Sequence, residues 1–483
     1  MLDPRDWEAF RAAAHRALDD AVDFLRDVRE RPAWQEMPDS AKERLHEPLP
    51  RTPSEFSDVY QTFVENILPY TGGNIHPRFF GWVQGTGTPS GAIAELLAAT
   101  MNSNVGGRNH GAVYVERQVI AWSRDLFRFP PDASGVLTTG ASEANLIGVL
   151  VARTRALGGE VREHGIDPQR ARITGYASAA THGCVRRAFE IAGIGSEALR
   201  ILPTDTHQRI DTVALRAAIA EDRAAGARPF LIVANAGTVD VGAIDPLDEI
   251  ASIAREEGCH LHVDGAFGAL AILSERLRAR LRGIERADSI AFDFHKWAHA
   301  PYDVGCVLVR DEAAHRATFA SEGPYLTRMT RGLASATPWF TDYTPELSRS
   351  FRALKVWFTL KEQGTDRIAA AIERNVEQAR ALGAKIDADS CFELLAPVGL
   401  NVVCFRYRPA GLDESALDAF NDELVIRIQE SGIAVLSSTS IGGKRALRAC
   451  FVNHRTTEED VRILLAGIRE LGERLVGERP FDA

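Results

Sequence analysis

The chain has no run of about 18 apolar residues, so nothing in it reads as a membrane-spanning helix. Its opening stretch, MLDPRDWEAFRAAAHRALDDAVDF, is acidic and amphipathic, without the basic start and apolar core of a secretory leader. A cytoplasmic protein is the expectation. Cysteine is sparse: six residues lie scattered along the chain, with no CxxC pair and no Cys/His cluster at metal-ligand spacing. That pattern excludes a disulfide framework and a zinc site, and it fits buried free thiols in a reducing compartment. No metal site is expected. Internal repeats and low-complexity tracts are also lacking. Basic charge is in deficit, 56 residues against 66 acidic ones for a net charge of -10, so nucleic acid is not the expected partner.

What remains is an ordinary globular composition, 45% hydrophobic and 25% charged, in 483 residues. This length exceeds what one compact core usually serves. Residues 1–110 read as a mainly helical N-terminal segment. A helix is predicted over residues 6–29, a proline-rich connection follows, and Ser90 is placed to cap a second helix. This arm has too little apolar surface for its own core, so it should pack on the main domain, on a partner subunit, or on both. Residues 111–361 change character. Short apolar runs, ITGYAS, LRILP, FLIVAN, CHLHVD, SIAF and GCVLV, alternate with helical patterns, which predicts an α/β domain with a largely parallel sheet. Within it Asp245 is placed to cap a helix, with Pro246 in the first turn. Residues 362–483 read as a smaller α+β domain.

Three segments carry chemistry. In LHVDGAFGA, Asp264 ends an apolar strand, where a carboxylate can reach a ligand across the sheet's carboxyl edge. Gly265 and Ala266 are small enough to admit a planar ring. Read alone, Asp264 fits a turn or a salt bridge equally well. In SIAFDFHKWAHAPYDVG, Lys296 follows another short strand between His295 and Trp297. Its amine can form an imine with a carbonyl ligand, or it can simply lie along an aromatic surface. In VLTTGASEANLIGVL, small residues lead directly into a helix near Ala141 and Ser142, whose free N–H groups suit an anion. An ordinary Ser-capped helix has the same appearance. His182, in SAATHGCVRRA, is placed to cover a ring or to cap a helix. Thr238, in NAGTVDVGAID, offers either a hydroxyl or a turn.

Taken in order, TTGASEAN, ATHGCVRRA, NAGTVDVGAID, HVDGAFGA and DFHKWAHAPYDVG resemble the group II pyridoxal 5′-phosphate (PLP)-dependent amino-acid decarboxylases. NIHPRFFGW, LSRSFRALKVWF and CFVNHRTT extend the likeness over nearly the whole chain. The resemblance implies the aspartate-aminotransferase-like fold, a homodimer, PLP as cofactor and an amino acid as the small-molecule substrate. It puts the cofactor's covalent link on Lys296, the ring-nitrogen contact on Asp264 and the stacking imidazole on His182. Phosphate contacts fall near Ala141 and Ser142, with Thr238, Ala266 and His295 close to the cofactor. The implied reaction is α-decarboxylation of an L-amino acid, aromatic ahead of other classes. Oxidative aldehyde formation, carbon–carbon lyase chemistry and a noncatalytic scaffold are the alternatives.

In the aromatic-amino-acid members a loop tyrosine donates a proton to the substrate, and members with Phe there tend toward aldehydes. Tyr343 is the candidate by its TDY context, although counting back from FRALK puts Phe340 at that position. Phe80, Trp82, Gln84 and Trp339 are the candidate substrate contacts, each equally suited to ordinary packing. The Phe-Pro-Thr pattern of the animal enzymes is replaced here by Val83, Gln84 and Gly85.

Overall fold

A computed structural model describes residues 2–167, 172–321, 323 and 327–478. The chain divides into two compact units. The larger comprises residues 85–379 and 396–402; the smaller comprises residues 1–84, 380–395 and 403–483.

The larger unit is built on a seven-stranded sheet. Its strands are β1 (Ser134–Thr138), β2 (Ile173–Ser178), β3 (Leu199–Leu202), β4 (Arg228–Asn235), β5 (His260–Asp264), β6 (Ser289–Asp293) and β7 (Gly305–Val309), in the order β1-β7-β6-β5-β4-β2-β3. Only β7 runs against the rest, pairing antiparallel with both β1 and β6. Helices cover both faces, which is why β5, β6 and β7 are buried along their entire length and read as unbroken apolar runs. β1 was not legible as a strand, because SGVLT is short and opens on two small residues.

The smaller unit holds a four-stranded sheet of β8 (Phe392–Leu394), β9 (Val402–Tyr407), β10 (Ser437–Ile441) and β11 (Lys444–Cys450), ordered β10-β11-β9-β8. The N-terminal arm belongs with this sheet. Phe79 bridges to Val435 in parallel register, and the flanking Phe80 backbone exchanges hydrogen bonds with Val435 and Cys450. Residues 85–110 belong instead to the larger unit, so the division differs from the three consecutive segments expected.

The first helix is Trp7–Arg26, started by the Asp6 carboxylate, which accepts the Glu8 and Ala9 N–H groups. Two expected caps need correction. The helix Pro89–Met101 is capped by Thr88, whose hydroxyl accepts from the Gly91 N–H, and Ser90 lies inside its first turn. The helix Leu247–Glu257 has no side-chain cap. The Asp245 carboxylate is already taken by the Ile210 and Asn235 N–H groups and by the Asn235 amide.

Candidate active site

The carboxyl ends of β1, β2, β4, β5 and β6 and the amino end of β7 share one edge of the large sheet. Asp264 closes β5, and Asp293 closes β6 next to it. Gly305 opens β7 in register with both Asp293 and Thr138. Three of the sequence candidates, Asp264, Lys296 and the start of the helix Ala141–Leu157, are therefore brought to one place by topology alone.

Lys296 sits in the turn after β6, and its Nζ lies 3.0 Å from Asp293 Oδ2. Burial works against its ammonium, but Asp293 foremost, with Asp264 and Tyr302, more than offsets this and holds the amine above its usual range. Gly85 packs against this turn. An added Cβ there would stand 1.9 Å from the His295 carbonyl oxygen, so only glycine fits. The Trp297 indole anchors the turn from below by donating to Asn375 Oδ1 at 3.0 Å.

Asp264 is buried and takes part in no ion pair among the described residues. Its carboxylate accepts the Ala266 N–H at 3.2 Å. Burial raises its carboxyl above the ordinary range. Ala266 is half-exposed, and its carbonyl accepts the Asp293 N–H, tying the two strand ends together. Gly265 needs a correction: the space beside it is filled by Ala269, 2.4 Å from where a Cβ would stand, so its small size serves packing and not a ring.

The helix Ala141–Leu157 starts at Gly140 without a side-chain cap. Its second residue, Ser142, is exposed and lies by the Cys184 thiol, which burial pushes up to about 12. His182 is exposed and begins the helix Gly183–Ile191, its Nδ1 accepting the Cys184 N–H at 3.2 Å. It caps that helix and also lies close enough to Asp264 to stabilise the carboxylate. His295 is buried. Its Nδ1 accepts the Val304 N–H, which puts the ring proton on Nε2, 3.6 Å from Asp293.

Beneath this edge runs a buried polar column. His262 receives Ser289 Oγ at Nδ1 and reaches Asn145 Oδ1 from Nε2, each at 2.7 Å. Gly148 makes room for the His262 ring, which a Cβ would meet at 2.5 Å. Burial lowers His262 to about 3, so the ring is neutral. The column locks the helix that begins at Ala141 onto the strand that carries Asp264.

The Thr238 hydroxyl accepts the Ala243 N–H at 3.0 Å and closes a turn. Phe80 is fully buried against Phe451 in the smaller unit, so it is core. Trp82 is 54% exposed and Gln84 partly so. Trp339 is buried in a loop, its indole donating to the Ser335 carbonyl, with Arg108 and Arg328 over its ring.

Tyr343 is buried with partners of its own. Its hydroxyl donates to Glu312 at 2.6 Å, and its carbonyl receives His315, which also bonds Ser134 at the start of β1. The next residue, Thr344, donates to Glu143 in the first turn of the helix Ala141–Leu157 at 3.3 Å.

The reading of the sequence passed over two residues. Asp293 stood unnoticed inside DFHKW, although a carboxylate three residues before a reactive lysine was the available signal. Tyr302 stacks on His295 with centroids 4.2 Å apart, is 46% exposed, and is felt electrostatically by Lys296. Cavity size is a poor guide here: a cavity of about 610 Å³ lined by Arg209, Pro246 and Arg282 includes none of the Lys296 cluster.

The donor set fits PLP. A buried carboxylate without a cation suits a protonated pyridine nitrogen, an uncapped helix start suits a phosphate, and a lysine amine stands on the same edge. The family described as the pyridoxal-dependent decarboxylase conserved domain matches residues 38–408. The chain belongs to that family. It is 33% identical to an aromatic-L-amino-acid decarboxylase of Bacillus atrophaeus, over 97% of this chain and 96% of that one. It is 28% identical to a phenylacetaldehyde synthase of Arabidopsis thaliana, over 95% and 94%. Its structure is similar to that of Oryza sativa TDC with PLP and tryptamine, with a TM-score of 0.90 and 25% identity, over 98% of this chain and 100% of that one. The family member is a PLP-dependent amino-acid decarboxylase with the aspartate-aminotransferase-like fold.

Proposed function

We propose that this decarboxylase acts on an aromatic L-amino acid, releasing CO₂ and the corresponding amine. The observation that carries the reading is the convergence of Lys296, Asp264 and an uncapped helix start on one sheet edge. The aromatic preference rests on the relatives, whose names specify aromatic substrates, and on the tryptamine bound to the rice protein.

PLP, when bound, supplies an electron sink for the pair freed as the Cα–carboxylate bond breaks. Lys296 supplies the amine that carries the cofactor. Asp264 is suited to hold the ring nitrogen protonated, because a cation there relieves the cost of its buried charge. Ala141 and Ser142 offer N–H groups to the phosphate, and His182 is the exposed ring suited to restrain the cofactor from one side. His295, Ala266 and Thr238 act as supports: His295 fixes the Lys296 turn, Ala266 ties Asp264 to β6, and Thr238 holds the neighbouring turn. Trp82 and Gln84 remain the candidate substrate contacts.

Among the described residues Tyr302 is the phenol that Lys296 feels electrostatically, whereas the Tyr343 hydroxyl is bonded to Glu312. Tyr302 is the better candidate to protonate Cα. A second reading is supported by the phenylacetaldehyde synthase relative: without a phenol in action, O₂ and water are consumed and the substrate leaves as aldehyde, CO₂ and ammonia, with O₂ reduced to hydrogen peroxide. Mass spectrometry of products from PLP-loaded protein and pooled L-amino acids separates the two. An amine from an aromatic substrate supports the first reading, and an aldehyde with ammonia supports the second. Loss of amine yield in Tyr302→Phe but not Tyr343→Phe supports Tyr302 as donor.

A homodimer in the cytoplasm completes the proposal. The helix Trp7–Arg26 buries none of its residues, and Trp7, Val22 and Val59 stand more than half exposed in this arm, as a surface awaiting a second copy would. All six cysteines are free thiols. A solution mass of one chain, about 53 kDa, would contradict the dimer.

A further inference from the structure

Asp293 is buried and only half used. Its side chain is 2% exposed. Oδ2 faces Lys296 Nζ at 3.0 Å and His295 Nε2 at 3.6 Å, while Oδ1 is buried with no hydrogen-bond partner. Oδ1 points toward the start of the helix Ala141–Leu157. It lies 3.7 Å from where a Cβ on Gly140 would stand, and 2.7 Å from the corresponding point on Gly305. An acceptor without a donor therefore borders the place that suits the phosphate. The other titratable groups around Asp293 are Asp264, Tyr302 and, behind it, the buried Cys306 thiol. None of them gives Oδ1 a hydrogen bond.

In the cofactor-free protein the Lys296 ammonium balances Asp293. Loading brings a phosphate dianion to the helix start beside Oδ1, while the Lys296 nitrogen, which faces Oδ2, enters the covalent link. A carboxylate and a phosphate oxygen in contact repel unless a proton lies between them. We propose that the chain takes up PLP together with one proton, held between the phosphate and Asp293 Oδ1. The proton comes from solvent, and its uptake is separate from the condensation that links Lys296 to the cofactor with loss of water, a step pyridoxal shares. Cofactor affinity then falls as pH rises, by about tenfold per unit where the uptake is complete. Loss of cofactor at alkaline pH is thus built into this chain by a single carboxylate, and an amide at position 293 would supply the donor permanently.

This inference rests on the PLP reading, and the experiment keeps the two apart. Calorimetry of cofactor-free protein titrated with PLP, in two buffers of different ionisation heat near pH 7.5, counts the protons taken up. Pyridoxal, which lacks the phosphate, is the control. The expected result is close to one more proton with PLP than with pyridoxal, falling toward zero in Asp293→Asn, whose PLP affinity at pH 8 rises at least threefold. Equal uptake with PLP and pyridoxal in the unmodified protein overturns the proposal, whether or not the variant folds. Uptake unchanged in Asp293→Asn also overturns it. Absence of PLP binding at any pH overturns it together with the cofactor reading.

Discussion

Two buried charge clusters in the larger unit look alike at first sight and differ in what they leave undone. Arg349 and Glu116 are both fully buried and 2.6 Å apart. The Arg349 guanidinium also donates to the Val105 and Leu137 carbonyls, and Glu116 accepts the Leu137 N–H. That pair spends all of its capacity except Arg349 Nε on protein and clamps the strand that leads to Gly140. Asp293 and Asp264 are also buried, yet the Asp264 carboxylate accepts one backbone hydrogen bond and Asp293 has an idle oxygen. Charge matched by charge and backbone marks a structural pair, whereas unmet acceptor capacity at a strand end marks a place for a ligand.

The contrast is broken most forcefully at Arg349. Arg349→Met leaves Glu116 buried without a partner and should cost about 3–5 kcal/mol of stability, read as a lower denaturation midpoint. The molecules that remain folded should still bind PLP. Asp264→Asn should do the reverse, lowering kcat by about 10²–10³ with little change in melting temperature, because it removes charge stabilisation where the reaction needs it. If Asp264→Asn melts early and keeps its kcat, the two clusters are the same kind of object.

Acid sharpens the difference. His260, His262 and His315 are buried neutral, burial holding them to about 4, 3 and 3. All lie below the ordinary value near 6.5, so the unfolded chain takes up protons first as pH falls. Their contribution to stability is complete above about pH 6.5 and is lost toward pH 4. The melting temperature should drop by at least about 5 °C from pH 7 to pH 5, and a flat profile would count against the buried column. The smallest effect is expected for Tyr343→Phe. Losing the hydrogen bond to Glu312 should cost about 1 kcal/mol and change turnover less than about twofold.

Much of this was legible because a parallel sheet announces itself in apolar runs, and because Lys296 and Asp264 each follow one. The helix start at Ala141 was legible for a related reason, its small residues. Partnerships between distant residues were not. Asp245 has the sequence of a cap, but Ile210 and Asn235 compete for its carboxylate, and no local pattern reports that competition. The N-terminal arm joins the small sheet through Phe79 and Val435, a contact that neither segment encodes alone. The bond from Tyr343 to Glu312 was illegible for the same reason, since a TDY context says nothing of Glu312. Asp293 was visible and overlooked, because a lysine three residues on drew the chemistry to itself.

The central claim is that Lys296 is the residue on which this chain carries its cofactor. Borohydride reduction of PLP-loaded protein, followed by proteolysis and mass spectrometry, tests it directly. The account predicts one phosphopyridoxyl adduct, on the peptide containing Lys296, and none on that peptide in Lys296→Ala. An adduct on another lysine, or none despite bound PLP, would contradict it.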